Sequence, residues 1–234
     1  MSIKQSAKSV RDALQQGIYW VINPFVRFLI KIGVTPNMVT AIGFLGAAAA
    51  TALVVWAGYD AGADGGSIDY LLITLAGALS IAFSLFDMLD GQVARIGGKS
   101  SRFGAMFDSV LDRYGELVTL GGIAYYLMQA GMPIGGLITF LALVGSLMVS
   151  YVRARGEGLG VVCKIGFMQR PERVVVTNFC LLGTGICGLL VKEMPFDPNY
   201  ILIVGMAFIA VFANITAIAR IAYCKKALQN EDKQ

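Results

Sequence analysis

The chain contains no histidine. That removes Ser-His-Asp and Cys-His nucleophilic machinery, and any histidine-ligated zinc centre. Cysteine is scarce as well: Cys163, Cys180, Cys187 and Cys224 form no CxxC pair. Neither a disulfide framework nor a structural zinc is expected, and the four thiols read as small apolar core residues. Charge is the third deficit. Asp, Glu, Lys and Arg make up only 15% of 234 residues, against about a quarter in an ordinary soluble domain. The opening MSIKQSAKSVRDALQQGIYW has no apolar stretch followed by a small-residue cleavage site, so it is not expected to be a cleaved signal, and insertion would begin at the first true span.

Apolar surface fills the gap. The chain is 56% hydrophobic with 28 glycines, and its mean hydropathy is +0.69. These values predict an all-α integral membrane protein whose helices pack through small residues. Six segments are long enough to cross about 30 Å of hydrocarbon: 38–58, 69–91, 106–129, 133–154, 173–191 and 199–222. Before them, VRDALQQGIYWVINPFVRFLIKIG mixes apolar and basic residues and predicts an interfacial amphipathic helix, bent at Pro24, with Tyr19 and Trp20 at headgroup depth. The expected organisation is an N-terminal segment with that helix (1–36), a six-helix transmembrane catalytic domain (37–224) and a polar C-terminal tail (225–234).

Positive charge orients this topology. With six spans, every one of the 19 lysines and arginines except Lys192 falls on one side. The other side keeps Asp60, Asp64, Asp69, Glu193 and Asp197. The positive-inside rule then puts both termini in the cytoplasm of a multi-pass cell-membrane protein. A basic cytoplasmic face suits anionic headgroups of the lipid bilayer and phosphorylated substrates. Nucleic acid is not an expected partner, since no soluble basic domain is present to carry it.

One stretch runs against the low charge, FDMLDGQVARIGGKSSRFGAMFDSVLDRYGE from Phe86 to Glu116. Asp87 and Asp90 are three apart and share a helix face; Asp108 and Asp112 are four apart and share another. An aspartate at membrane depth costs about 2.5–3.5 kcal/mol on insertion scales, and converging acids repel. Carboxylate oxygens in this number suit a hard divalent cation, Mg2+ or Mn2+, that also binds substrate phosphates. Gly91 and Gly104 leave room beside the acids, and Gly97-Gly98 predicts a tight turn between the helices. The bland alternative is salt-bridge glue to Arg95, Arg102 and Arg113; two same-face acidic pairs with glycine clearance exceed what glue requires. A cation transporter is the alternative from a different class. It would hold its acids at the bilayer midplane on broken helices, whereas these sit at the cytoplasmic ends of consecutive spans.

Asp87-x2-Asp90-Gly91-x2-Ala94-Arg95-x8-Gly104-x3-Asp108-x3-Asp112 resembles, position for position, the signature of the CDP-alcohol phosphotransferase family. The resemblance implies six spans, an N-terminal interfacial helix, a homodimer, and transfer of a phosphatidyl group from CDP-diacylglycerol to an alcohol with release of CMP. It implies that Asp87, Asp90 and Asp108 bind the metal and that Asp112 is the general base, with Asp112 a ligand too if two ions bind. Gly91 and Arg95 resemble positions that contact the CDP moiety, as do Asp87 and Ser101. Pro36-Asn37-Met38-Val39-Thr40 resembles the family segment bordering that pocket, which adds Asn37 and Thr40.

The acceptor is read from the second half. Arg153, Arg155, Arg170 and Arg173 surround a Gly-rich connection on the basic face, and arginine suits bidentate phosphate contacts. Taken singly, each would be a topogenic charge at a helix end. Glu157 lies four residues after Arg153 and can pair with it. Tyr151-Val152-Arg153-Ala154-Arg155-Gly156-Glu157 and Phe167-Met168-Gln169-Arg170-Pro171-Glu172-Arg173 resemble the subgroup that makes phosphatidylinositol phosphate, or its archaeal ether-lipid counterpart, from inositol 1-phosphate. Arg153 stands where that subgroup often has lysine, and Gly158–Ile165 lacks its acidic run. Glycerol 3-phosphate, another phosphorylated polyol, is the runner-up, and free inositol remains a third acceptor.

Overall fold

The computed structural model describes residues 22–63, 66–190 and 196–231, with the side chains of Asp87 and Met88 excepted. Tyr19 and Trp20 of the expected interfacial helix, and Lys192 and Glu193, lie outside the described residues. Among the described residues all regular structure is helical. Residues 22–31 form α1. The others are α2 (Pro36–Gly62), α3 (Tyr70–Ser84), α4 (Phe86–Ile96), α5 (Arg102–Gln129), α6 (Pro133–Glu157), α7 (Arg170–Leu190) and α8 (Asn199–Glu231).

The sequence writes several of these boundaries directly. Thr35, ahead of Pro36, caps α2 by accepting the Met38 N–H at 3.3 Å, with proline at the first helical position where its missing N–H costs nothing. Asp69 caps α3 through the N–H groups of Leu71 and Leu72 at 2.9 and 3.3 Å. Ser101 caps α5 by accepting the Gly104 N–H at 2.9 Å. The expected Gly97-Gly98 turn is present. Gly98 has φ +61°, its N–H reaches the Arg95 carbonyl, and the Lys99 N–H closes on the Ala94 carbonyl at 3.0 Å. That is a Schellman ending, which favours glycine at the left-handed position.

Among the described residues, five helical stretches are long and apolar enough to cross a membrane: α2, α3 with α4 (Tyr70–Ile96), α6, α7 and α8 (to Asn230). The expected span 106–129 is also one helix, α5, of 28 residues. Asp108, Asp112, Arg113 and Glu116 crowd its first half, so its charge-free run begins only at Leu117. The expected 69–91 segment is interrupted at Leu85, which keeps helical dihedrals (φ −70°, ψ −25°), and runs on to Ile96.

Packing divides the chain into two compact units, Met1–Gly43 with Phe83–Leu111, and Phe44–Ala82 with Asp112–Gln234. In the first, Val26 of α1, Val39 of α2, and Leu89 and Val93 of α4 form the buried centre, flanked by Ile22, Leu29, Ile30, Val34 and Phe86. In the second, Val54, Ile73, Leu120, Ile123, Leu127, Leu181, Met206 and Ile209 anchor a larger core. Small residues let backbones close up there. A Cβ on Gly77 of α3 would stand 2.7 Å from the Leu182 backbone of α7, and one on Gly185 of α7 would stand 2.5 Å from the Thr74 nitrogen. Away from water, polar groups must find partners inside the protein. Tyr126 donates to Asn199 Oδ1 at 2.6 Å, and Ser80 donates to Asn178 Oδ1 at 2.7 Å.

Candidate active site

The first unit holds an open cavity of about 240 Å3 between the start of α2, the middle of α4 and the start of α5. Its lining includes Pro36, Asn37 and Thr40 from α2, and Asp90, Gly91 and Ala94 from α4. Lys99, Ser100, Ser101, Gly104, Ala105 and Asp108 complete it from the turn and α5. Asn37, Thr40, Asp90, Gly91, Ser101 and Asp108, singled out from widely separated parts of the sequence, are thus brought to one place.

Asp90 is the best defined acid. Its side chain is buried, and its Oδ2 accepts a hydrogen bond from the Thr40 hydroxyl at 2.7 Å. Thr40 Oγ1 also lies 3.1 Å from the Pro36 carbonyl of its own helix. The carboxylate is therefore oriented before any ligand arrives. A Cβ on Gly91 would meet nothing within 4 Å, and one on Gly104 would crowd Ser101 Oγ at 3.0 Å and Asn37 Oδ1 at 3.2 Å. The first glycine leaves the cavity open and the second keeps its polar wall intact. Arg95 is not part of the lining; its Nε donates to the Gly91 carbonyl at 3.3 Å along its own helix.

Among the described residues no group of three or more acids, cysteines or histidines gathers in metal-binding fashion. The carboxylate of Asp87 lies outside the described side chains, and of the other expected ligands Asp90 and Asp108 line the cavity. The donor chemistry of those two fits a hard divalent ion. Both offer carboxylate oxygens to one cavity, and one of them is held in place by a hydroxyl donor.

In the second unit the acids of α5 have different partners. Arg170, at the start of α7, pairs with Asp112 at 2.8 Å, with the two side chains 27% and 12% exposed. One turn further along each helix, Arg173 makes a two-pronged pair with Glu116 at 2.5 and 2.8 Å, and its Nη1 donates to the Met168 carbonyl at 3.1 Å. Arg173 is 1% exposed and Glu116 8%. The expected pair of Arg153 with Glu157 forms at 2.9 Å on the surface of α6, and Arg155 lies exposed in the last turn of that helix. Arg153, Arg155 and Arg170 therefore keep accessible surface, whereas Arg173 is enclosed.

Two residues went unassigned on sequence. Glu116 continues the four-residue spacing of Asp108 and Asp112, and that stripe was the signal for it. Arg220 of α8 looked like one more topogenic charge, yet it is buried. Its Nε donates to the Ile165 carbonyl at 2.8 Å and its Nη1 to the Val149 carbonyl at 2.7 Å, tying α6 and the α6–α7 connection to α8.

The family model for CDP-alcohol phosphatidyltransferase matches residues 33–211. The phosphatidylinositol phosphate synthase of Mycobacterium tuberculosis is 34% identical over 207 residues, covering 86% of this chain and 84% of that protein. The archaetidylinositol phosphate synthase of Methanothermobacter thermautotrophicus is 35% identical over 193 residues, covering 82% and 84%. Among solved structures, the M. tuberculosis phosphatidylinositol phosphate synthase with CDP-DAG bound gives a TM-score of 0.70 at 28% identity, covering 86% of this chain and 92% of that one. The same enzyme in complex with manganese and citrate gives 0.67 at 30% identity, covering 86% and 87%. The matched span takes in the cavity lining and the arginine–acid pairs alike, and the chain belongs to the CDP-alcohol phosphatidyltransferase family.

Proposed function

We propose that this protein transfers the phosphatidyl group of CDP-diacylglycerol to a hydroxyl of inositol 1-phosphate and releases CMP, as a step in phospholipid biosynthesis. The observation that carries the reading is the assembly of Asn37, Thr40, Asp90, Gly91, Ser101 and Asp108 around one cavity. The relatives named phosphatidylinositol phosphate synthase and archaetidylinositol phosphate synthase support the choice of acceptor.

In this reading Asp87, Asp90 and Asp108 hold Mg2+ or Mn2+, with Asp112 joining where a second ion binds. When bound, the ion neutralises charge developing on the pyrophosphate oxygens. Thr40 fixes the Asp90 carboxylate, while Asn37, Gly91, Ser101 and, from the rim, Arg95 orient the CDP moiety. Asp112 accepts the proton of the attacking hydroxyl. The new bond joins the acceptor oxygen to the phosphatidyl phosphorus, and the pyrophosphate P–O bond breaks with its electron pair leaving on CMP. Arg153, Arg155 and Arg170 meet the acceptor phosphate, and Arg173, paired with Glu116 one turn further along α7, positions Arg170. We further infer six spans with α5 as the third, both termini and the active site on the cytoplasmic side of the cell membrane, residues 37–224 as the catalytic domain between the N-terminal segment and the polar tail, and a homodimer.

The test is CMP release by the full chain in lipid nanodiscs with CDP-diacylglycerol and Mg2+, comparing inositol 1-phosphate, glycerol 3-phosphate and inositol. Turnover is expected to be highest with inositol 1-phosphate. Release with glycerol 3-phosphate alone reassigns the acceptor, and no release with any of the three refutes the transferase reading.

A further inference from the structure

The cavity holds one charged residue that the reading above leaves without a task. Among the described residues lining it, Lys99 carries the one positive charge, opposite in sign to Asp90 and Asp108. Its placement is built. Gly98 at φ +61° turns the chain out of α4, and the Lys99 N–H closes on the Ala94 carbonyl at 3.0 Å. Ser101, two residues on, is locked as the cap of α5. The backbone that carries the ammonium is thus fixed on both sides.

We propose that Lys99 binds the phosphate of the cytidine nucleotide, in the substrate and in the departing CMP. This rests on the cavity being the nucleotide site. The argument is one of charge and reach. A nucleoside diphosphate group brings two negative charges into a space already lined by two carboxylates. A divalent ion shared with those carboxylates leaves the nucleotide phosphate in need of another cation. Arg95, the other nearby candidate in α4, turns its Nε to its own helix. An ammonium on a four-carbon stem meets phosphate as a mobile point charge, which suits a group that must later be let go with the product.

The experiment separates phosphate recognition from pocket integrity. Binding of CMP and of cytidine to the full chain in nanodiscs is measured by calorimetry with Mg2+ present, for the wild type, Lys99→Ala and Lys99→Arg. Lys99→Ala is expected to weaken CMP by about ten- to hundred-fold, the range for a hydrogen bond to a charged group, while cytidine affinity stays within about two-fold. Lys99→Arg should recover most of the CMP affinity. In turnover, Lys99→Ala should raise KM for CDP-diacylglycerol and leave KM for the acceptor unchanged. Unchanged CMP binding, or equal loss of CMP and cytidine, overturns the assignment. If the wild type itself binds neither ligand, it is the nucleotide reading of the cavity that fails.

Discussion

Replacing Arg173 by methionine tests the reading of the second unit most directly. The substitution keeps most of the stem and removes the guanidinium. It strands the Glu116 carboxylate, which is 8% exposed, and deprives the Met168 carbonyl of its donor. Removing one partner of a buried ion pair costs about 3–5 kcal/mol, because the remaining charge is left uncompensated. For a chain of this size 1 kcal/mol corresponds to roughly 2–4 °C in Tm, so Arg173→Met should lower Tm by about 6–20 °C. The double variant Arg173→Met with Glu116→Leu removes both charges together. A buried pair replaced by apolar residues of similar volume is often neutral in stability, so the double variant should regain most of the loss. Tryptophan and tyrosine fluorescence during a thermal ramp in nanodiscs, at one fixed scan rate, reads all three proteins. A drop below about 2 °C, or a double variant no more stable than the single one, would refute the claim that a desolvated pair joins α5 and α7.

Three further outcomes follow from the same geometry. Thr40→Val removes the 2.7 Å donor that orients Asp90; it should raise the Mg2+ concentration needed for half-maximal CMP release about 10- to 100-fold, and EDTA should abolish wild-type activity until Mg2+ is returned. Asp112→Asn should lower turnover by at least about 100-fold, as loss of a general base does, with circular dichroism unchanged; wild-type turnover would remove its role. Gly77→Ala places a methyl group against the Leu182 backbone at 2.7 Å and should lower Tm by several degrees, whereas Gly91→Ala meets nothing within 4 Å and should leave Tm unchanged.

What the sequence made legible follows from the range of the forces involved. Helix positions were readable because bilayer thickness fixes a length and each apolar run declares it. The cavity was readable because its acids and glycines keep rigid spacings inside two helices. Side-chain fate was harder. Arg170, Arg173 and Arg220 look alike on paper, each a basic residue near a helix end. One pairs with Asp112 at partial exposure, one is enclosed with Glu116, and one binds two carbonyls of other segments. Their partners lie 55 or more residues away, and spacing rules reach only three or four. The interruption at Leu85 was hidden for another reason: FSLFDM contains neither glycine nor proline to mark it.

The acidic stripe of α5 shows why charge can be concentrated there without undoing the membrane fold. Asp108 lines a cavity that water or a cation can enter. Asp112 and Glu116 instead each meet an arginine of α7. Four residues on one helix rise about 6 Å and three on the other about 4.5 Å, close enough for both pairs to form at once. The match also fixes register. Sliding α7 by one turn would set Arg170 against Glu116 and leave Asp112 without its arginine, or set Arg173 against Asp112 and strand Glu116. Either slip leaves a carboxylate unpaired at a cost of several kcal/mol. The pair that is enclosed therefore determines where the pair that is partly exposed must stand, and with it the position of the proposed base and of an arginine proposed to meet the acceptor.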